Sequence, residues 1–128
     1  MSYGNLNYEG KEISGFDSII IQKDLADVPG GVTLDVTGYE GDTILSGHVL
    51  IKDSEGAVKP LGITSGAYDD LEQGDAVYGI LKYSISKSQP FAAVLLIGTV
   101  NAGAAEKLVG APYTSDIKSA LKNISFIY

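Results

Sequence analysis

Hydrophobic positions along the chain fall into short segments separated by turn residues. The sixteen glycines and four prolines are scattered through the sequence, which is typical of a β-rich protein. The β-branched run Ile19-Ile20-Ile21, within residues 18–22, predicts a strand buried on both faces. A turn is expected at Val28-Pro29-Gly30-Gly31. Residues 32–36 alternate apolar with polar side chains, which predicts a half-buried strand, and a polar loop follows at residues 38–42.

The clearest predicted hairpin lies in the middle of the chain. Residues 48–52 and 58–63 flank Asp53-Ser54-Glu55-Gly56, a turn sequence with Gly where a positive φ is needed. Pro60 cannot donate a ladder hydrogen bond, so the second strand is expected at a sheet edge or at a bend. The longest apolar segments, residues 76–85 and 91–100, are expected to form the centre of the core.

The pattern changes to short helices near the C-terminus. Asn101 is placed to cap a helix that ends at Gly110, and Ser115 to cap a second helix over residues 116–123. Residues 124–128 alternate and predict a final strand that returns to the sheet. We therefore predict a mainly β fold: one compact antiparallel barrel-like or sandwich-like domain over residues 17–128, with one or two short helices near its C-terminus. Residues 1–16 show neither the 3.6-residue period of a helix nor the two-residue period of a strand. They predict an extended N-terminal arm, with an edge strand as the alternative.

Length and composition restrict the classes of function. A chain of 128 residues is sufficient for one domain. Nine basic against sixteen acidic residues give a net charge of −7, which disfavours nucleic acid and anionic membranes as partners. The chain has no cysteine, which excludes disulfides, thiolate nucleophiles and iron–sulfur clusters. No signal peptide is recognised, and the apolar stretch at residues 91–100 is about half the roughly 20 residues of a membrane helix. We therefore expect a soluble protein that is made and kept inside a cell.

Candidate catalytic chemistry is sparse. His48 is the only histidine and begins a predicted strand, where a structural role is expected. No Gly-x-Ser-x-Gly sequence supplies a nucleophile for it. The run from Gly98 to Gly103 resembles the start of a phosphate-binding loop, but Ala104 and Ala105 stand where Lys and Ser or Thr are required. We expect no catalytic and no cofactor-binding residues, and thus a protein that is not an enzyme. An enzyme would have to use His48 or the acidic cluster described next.

Four carboxylates lie close together in the sequence at Asp69, Asp70, Glu72 and Asp75. Calcium takes such oxygen ligands, but the spacing does not match an EF-hand loop. A solvated acidic loop is the favoured interpretation, and we expect no metal site. Asp69 is also expected to cap a short helical turn that ends at Gly74.

Tyrosines are the main candidate contact residues. The chain has eight Tyr and three Phe but no Trp. Tyr39, Tyr68, Tyr78 and Tyr83 offer large contact areas, although half of the aromatic residues are expected to pack in the core. Tyrosine-lined loops leave open an alternative function, a β-barrel module that binds a carbohydrate or another small ligand.

The order of several segments resembles the lambda-type head decoration proteins of tailed bacteriophages. These segments are Gly47-His48-Val49-Leu50, a hairpin to Val58-Lys59-Pro60-Leu61-Gly62, an acidic loop, and Ala76-Val77-Tyr78-Gly79-Ile80-Leu81. A strand like residues 93–100, a helical insertion and a final strand like residues 124–128 complete the resemblance, which covers residues 43–128. Another phage head protein built on the same barrel, such as a head fibre, is a related possibility.

The resemblance implies a homotrimer on the exterior of an expanded icosahedral head, where it stabilises the shell by contacting the major capsid protein. It implies no cofactor and a virion location after synthesis in the host cytoplasm. The family contacts the shell through its N-terminal arm, which corresponds to residues 1–16 here. The candidate capsid or subunit contacts are Tyr3, Leu6, Tyr8, Ile13 and Phe16.

Overall fold

The chain forms a mainly β fold, as the sequence predicts. A computed structural model describes residues 20–28 and 31–128, and 41% of these residues lie in strands against 14% in helices. The strands are β1 (Ile21–Asp27), β2 (Val32–Thr33), β3 (Thr43–Ile44), β4 (Val49–Lys52), β5 (Val58–Pro60), β6 (Ile63–Thr64), β7 (Ala67–Tyr68), β8 (Ala76–Leu81), β9 (Ile85–Ser86), β10 (Phe91–Ala92), β11 (Val94–Asn101) and β12 (Ile124–Ile127). The helices are α1 (Ala102–Val109) and α2 (Ser115–Ala120).

One six-stranded sheet is the centre of the fold. Its strand order is β1-β11-β8-β4-β5, and β12 pairs with β11 in parallel while the other pairs are antiparallel. β2 with β10, β3 with β9, and β6 with β7 form three small two-stranded sheets. Because β1 and β5 are edge strands, the described sheet is open, and a compact sandwich describes the fold better than a closed barrel.

Side chains from the two faces of this sheet enter two separate cores, because successive strand residues point to opposite faces. Val49 and Ile51 of β4 pack in the larger core with α1, α2 and β7. Leu50, between them, packs in the smaller core together with Leu34 and Ile44. The sheet is therefore covered by helices and a hairpin on one face and by short strands on the other.

Gly98 allows strands to approach β11 closely on one edge. β1 pairs with β11 from Leu95 to Val100 in an irregular register. A Cβ atom at Gly98 would lie only 2.1 Å from the backbone oxygen of Lys23 in β1. On its other edge, β11 is shared by β8 and β12, and the Gly98 N–H donates to the oxygen of Asn123 just before β12. The absence of a side chain at Gly98 is therefore what lets three strands meet at β11.

The C-terminal helices form close to where the sequence places them. Asn101 Oδ1 accepts a hydrogen bond from the Ala104 N–H, and Gly110 ends α1 with a φ of +93°. The cap of α2 is Thr114, whose hydroxyl accepts from the Ile117 N–H at 3.2 Å, and the prediction of Ser115 was wrong by one residue. This helix is also shorter than predicted, since it ends at Ala120.

Local structure differs from the prediction in the first third of the chain. Residues 18 and 19 of the predicted strand lie outside the described residues. Within the described part, β1 begins at Ile21 and exposes its residues 22–25, so it is an edge strand and not a strand buried on both faces. Leu34 is buried while Thr33 and Asp35 are exposed, as the alternation predicts. However, β2 ends at Thr33 because the next two N–H groups donate to the oxygens of Pro90 and Val58.

A turn forms after Asp69, as predicted, since the Asp75 N–H donates to the oxygen of Glu72 and Gly74 has a φ of +92°, but it is not a helical turn and Asp69 belongs to the β6–β7 hairpin. The Asp69 N–H donates to the oxygen of Gly62 and extends the β6–β7 hairpin. That hairpin turns at Ser65 and Gly66, which both have a positive φ, as a tight two-residue turn requires. The hairpin predicted around Asp53-Ser54-Glu55-Gly56 is confirmed, and Pro60 lies on the edge strand β5.

We expect Gly98→Ala to lower the free energy of unfolding by roughly 2–3 kcal/mol, because the backbone of β1 must move away from the new methyl group. Gly103→Ala, in α1, is the matched control: its nearest neighbour would be 3.9 Å away, and alanine should add about 0.5–1 kcal/mol through helix propensity. Urea unfolding followed by circular dichroism measures both. Wild-type stability of Gly98→Ala would contradict the close approach of β1.

Candidate functional site

The described surface contains a cleft of about 830 Å³. We call it the acidic cleft. It lies between the loop that contains Tyr39, the strand β5, and the acidic loop before β8. Its lining residues include Asp35, Tyr39, Glu40, His48, Lys59, Leu61, Asp69, Asp70, Glu72 and Asp75.

Negative charge dominates this cleft. The four carboxylates that are close in sequence, Asp69 to Asp75, are joined there by Asp35 and Glu40, and Lys59 is the only cation in the lining. The sequence gives no signal for these two additional carboxylates, because they come from a loop about thirty residues earlier that the fold brings across. Hydrogen bonds from the Thr37 hydroxyl and from the Thr37 N–H lower the pKa of the Asp35 carboxyl. An excess of carboxylates suits cations or hydroxyl groups and repels phosphates.

His48 lines the same cleft but is almost completely buried, with 2% of its surface exposed. Its Nε2 lies 2.7 Å from the oxygen of Leu61, and because a carbonyl oxygen only accepts, Nε2 carries the proton. Burial lowers the pKa of His48, although the hydrogen bond to Leu61 opposes this shift. His48 is thus a neutral, hydrogen-bonded core residue, in agreement with the structural role expected from its position.

A row of aromatic rings connects the acidic cleft with the C-terminal helices. The ring of His48 contacts Tyr39 and Tyr68 edge-on, with centroid distances of 6.1 and 5.5 Å. Tyr68 stacks on Tyr113, which contacts Phe126 of β12 at 4.9 Å. The hydroxyl of Tyr68 accepts from the Val49 N–H, and that of Tyr113 donates to the oxygen of Gly47. Burial raises the pKa of both of these tyrosines, so they remain neutral hydrogen-bonding groups of the core.

A second surface feature is apolar and lies near the end of β1. Tyr83 and Phe91 are large and strongly exposed, at 55% and 59%. They border a depression of about 320 Å³ that is also lined by Val28 and Ile85. We call these four residues the aromatic patch. Exposed aromatic residues beside a hydrophobic depression are typical of protein contact surfaces.

An ion triad fixes β1 beside the aromatic patch. The ammonium of Lys82, which follows β8, contacts the carboxylates of Asp24 and Asp27 in β1, the latter at 2.7 Å. Burial lowers the pKa of Lys82, but its contacts with the two carboxylates raise it more, and the net shift is upward. Hydrogen bonding to Lys82 holds the pKa of Asp27 below its ordinary value. Lys82 and Asp27 are therefore charged at neutral pH, and the triad joins the edge strand to the middle of the sheet.

The other sequence-derived candidates have different outcomes. Tyr3, Leu6, Tyr8, Ile13 and Phe16 lie outside the described residues. At the glycine-containing turn after β11, Asn101 occupies the N-terminus of α1, and Ala102 and Ala105 are fully buried. In the ranges that the structure describes, no group of three or more His, Asp or Glu side chains is arranged to hold a metal ion. The helices in these ranges are too short or too polar to span a membrane.

Comparisons with family models, with curated proteins and with solved structures found no match to this chain. Functional inference therefore depends on the acidic cleft, the aromatic patch and the order of the strands.

We expect Lys82→Met to lower the free energy of unfolding at pH 7 more than Lys59→Met does. Both substitutions keep an aliphatic chain and remove one charge, but Lys82 is largely buried between two carboxylates, whereas Lys59 is 4.0 Å from Asp53 and more exposed. Thermal unfolding of both variants measures the difference.

The same measurement has a defined pH dependence. A carboxyl whose pKa is lowered by folding stabilises the protein above its ordinary value and loses this contribution as the pH falls. The difference in unfolding temperature between wild type and Lys82→Met should therefore become smaller as the pH falls below 3.8, the ordinary pKa of an aspartate such as Asp27. A constant difference down to pH 2 would contradict the ion triad.

Proposed function

We propose that this protein is a structural virion component, a head decoration protein that trimerises on the outside of a phage-type capsid and stabilises the shell. The observation that carries the proposal is the aromatic patch, an exposed apolar surface on a domain whose buried histidine and tyrosines make structural hydrogen bonds. A protein that acts by contact needs such a surface and needs no reactive group.

The order of the elements supports the same proposal. The segments that carry the resemblance to the lambda-type decoration proteins correspond to β4, β5, β8, β11 and β12, with α1 and α2 as the helical insertion. A threefold ring of identical chains needs two different complementary surfaces on each copy. We assign the aromatic patch to one of them.

Shell binding follows from mass action in this proposal. A protein that binds the assembled shell and not its free subunits raises the temperature at which the shell fails. The N-terminal residues Tyr3, Leu6, Tyr8, Ile13 and Phe16 are the proposed contacts with the major capsid protein or with neighbouring subunits.

Sedimentation of the full chain tests the assembly. We expect a species of about three times the 13.4 kDa chain mass at tens of micromolar. Tyr83→Ser combined with Phe91→Ser should shift it to monomer, because the variant loses apolar contact area and leaves the core unchanged. Leu71→Ser is the matched control, since Leu71 is an exposed apolar residue, at 41%, away from the aromatic patch.

Two outcomes would contradict the proposal. A wild-type chain that stays monomeric at this concentration would contradict the proposed trimer. A trimer that does not co-sediment with expanded shells of the major capsid protein from the same phage would agree with the proposed trimer but contradict the proposed decoration role.

Binding of a small ligand is the second candidate function, and the acidic cleft favours it. Its volume of about 830 Å³ lies within the range of ligand sites. Carboxylates that line a cleft can accept hydrogen bonds from sugar hydroxyls. However, Tyr39 is the only tyrosine, phenylalanine or tryptophan in its lining, and sugar sites commonly stack their ligands on aromatic rings.

A glycan array tests this second function. Binding through the acidic cleft should be lost in Asp70→Asn combined with Glu72→Gln, because both carboxylates line the cleft and are exposed. Glycan binding that persists in this double variant, or an array without any bound glycan, would contradict the acidic cleft as a carbohydrate-binding site.

A further inference from the structure

The surroundings of His48 suit only the neutral form of its ring. Nε2 donates to the oxygen of Leu61, and the ring edges meet Tyr39 and Tyr68. Among residues 20–28 and 31–128, no acceptor forms a hydrogen bond with Nδ1. A second proton on the ring would therefore add a charge and a donor at a place that offers neither a counter-charge nor an acceptor.

The acidic cleft offers the opposite environment within the same site. Several ionisable groups lie on the elements around His48. The loop at residues 35–41 contributes Asp35, Tyr39 and Glu40, β5 contributes Lys59, β7 contributes Tyr68, and the loop before β8 contributes Asp69, Asp70, Glu72 and Asp75. An imidazolium that leaves the core on this side enters a field of six carboxylates and one ammonium, which favours its positive charge.

We propose that His48 is an acid-sensitive switch: on protonation its ring moves from the core into the acidic cleft and releases the Tyr39 loop and the β6–β7 hairpin. The closed state holds the neutral ring, and the open state holds the imidazolium among the carboxylates. This device goes beyond the decoration role and does not depend on it.

The released elements have fewer strand pairings than the central sheet, although Tyr68 of β7 also packs in the larger core and accepts from the Val49 N–H. β6 and β7 pair only with each other within the described sheets. The Tyr39 loop is held by the Tyr39 hydroxyl, which donates to the oxygen of Thr43, and by Lys87, which donates to the oxygen of Tyr39. β11, in contrast, pairs with three strands and makes no ring contact with His48. Opening at the cleft can therefore leave the central sheet intact.

The pH range of the switch follows from linkage. Burial lowers the pKa of His48 in the closed state, so a proton binds the open state more tightly. Because the cleft carboxylates favour the imidazolium of the open state, opening begins above the ordinary histidine value near 6.5, and the open fraction rises by up to about tenfold for each pH unit below the onset.

Amide hydrogen exchange of the full chain at pH 7.5, 6.5 and 5.5, corrected for intrinsic rates, tests the proposal. The reporters are the amides of Tyr39 and Asp69, which donate to the oxygens of Val36 in the Tyr39 loop and of Gly62 beside β6. The controls are the amides of Lys82 and Gly98 in the central sheet. Between pH 6.5 and 5.5, protection of the reporters should fall about tenfold more than protection of the controls. The imidazole resonance of His48, the only one in the chain, should move over the same range.

Three variants distinguish the switch from acid unfolding of the whole domain. His48→Gln keeps a donor for Leu61 and cannot gain a proton, so its reporters should follow the controls at every pH. Asp70→Asn with Glu72→Gln removes two carboxylates and so destabilises the open state. The loss of protection at the reporters should therefore begin at a lower pH. Glu55→Gln with Asp116→Asn removes the same number of charges outside the cleft and should leave the onset unchanged.

Three results would overturn the proposal. The first is equal loss of protection in reporters and controls, which means that protonation unfolds the whole domain. The second is titration of His48 near pH 6.5 without any change at the reporters. The third is wild-type pH dependence in His48→Gln; if that variant does not fold, the wild-type titration and the two carboxylate variants decide the question.

Discussion

The pairing of β11 with three other strands is the constraint on which the rest of this structure depends. β1 occupies one edge of β11, and β8 and β12 divide the other edge between them. This arrangement requires a residue without a side chain at Gly98, where the backbone of β1 comes closest. It also requires the α1–α2 insertion to bring β12 back in parallel, because a parallel strand cannot be reached through a tight turn. The ends of the described chain therefore meet at one central strand.

A feature could be predicted from the sequence when the residues that determine it are close together in the chain. The β4–β5 turn, the Asn101 cap and Gly110 are specified by adjacent residues, and the sequence analysis places them correctly. The exposure of β1 depends on its position at the sheet edge, and no local pattern encodes that position. The acidic cleft was only half predictable for the same reason: Asp69 to Asp75 form a visible cluster, but Asp35 and Glu40 join it only through the fold.

Charge is unevenly distributed along the sequence of the described chain. Residues 31–81 contain nine carboxylates and two lysines, whereas residues 82–128 contain five lysines and two carboxylates. The acidic cleft draws on the first segment, while Tyr83 and Phe91 of the aromatic patch belong to the second. In the proposed trimer, contact through the aromatic patch leaves the acidic clefts free to face away from each other, which lowers the like-charge repulsion between copies.

The aromatic row explains how a change at His48 can affect other parts of the domain. His48 lies between Tyr39 at the cleft and Tyr68 in the core, and Tyr68 leads through Tyr113 to Phe126 of β12. A change in the charge of His48 acts first on its two ring neighbours, and of these only Tyr39 lies on a loop at the cleft. Tyr113 is held by its bond to the oxygen of Gly47 and by the bond from its N–H to Glu106. The core end of the row is therefore anchored, and the cleft end is the one that can respond to pH.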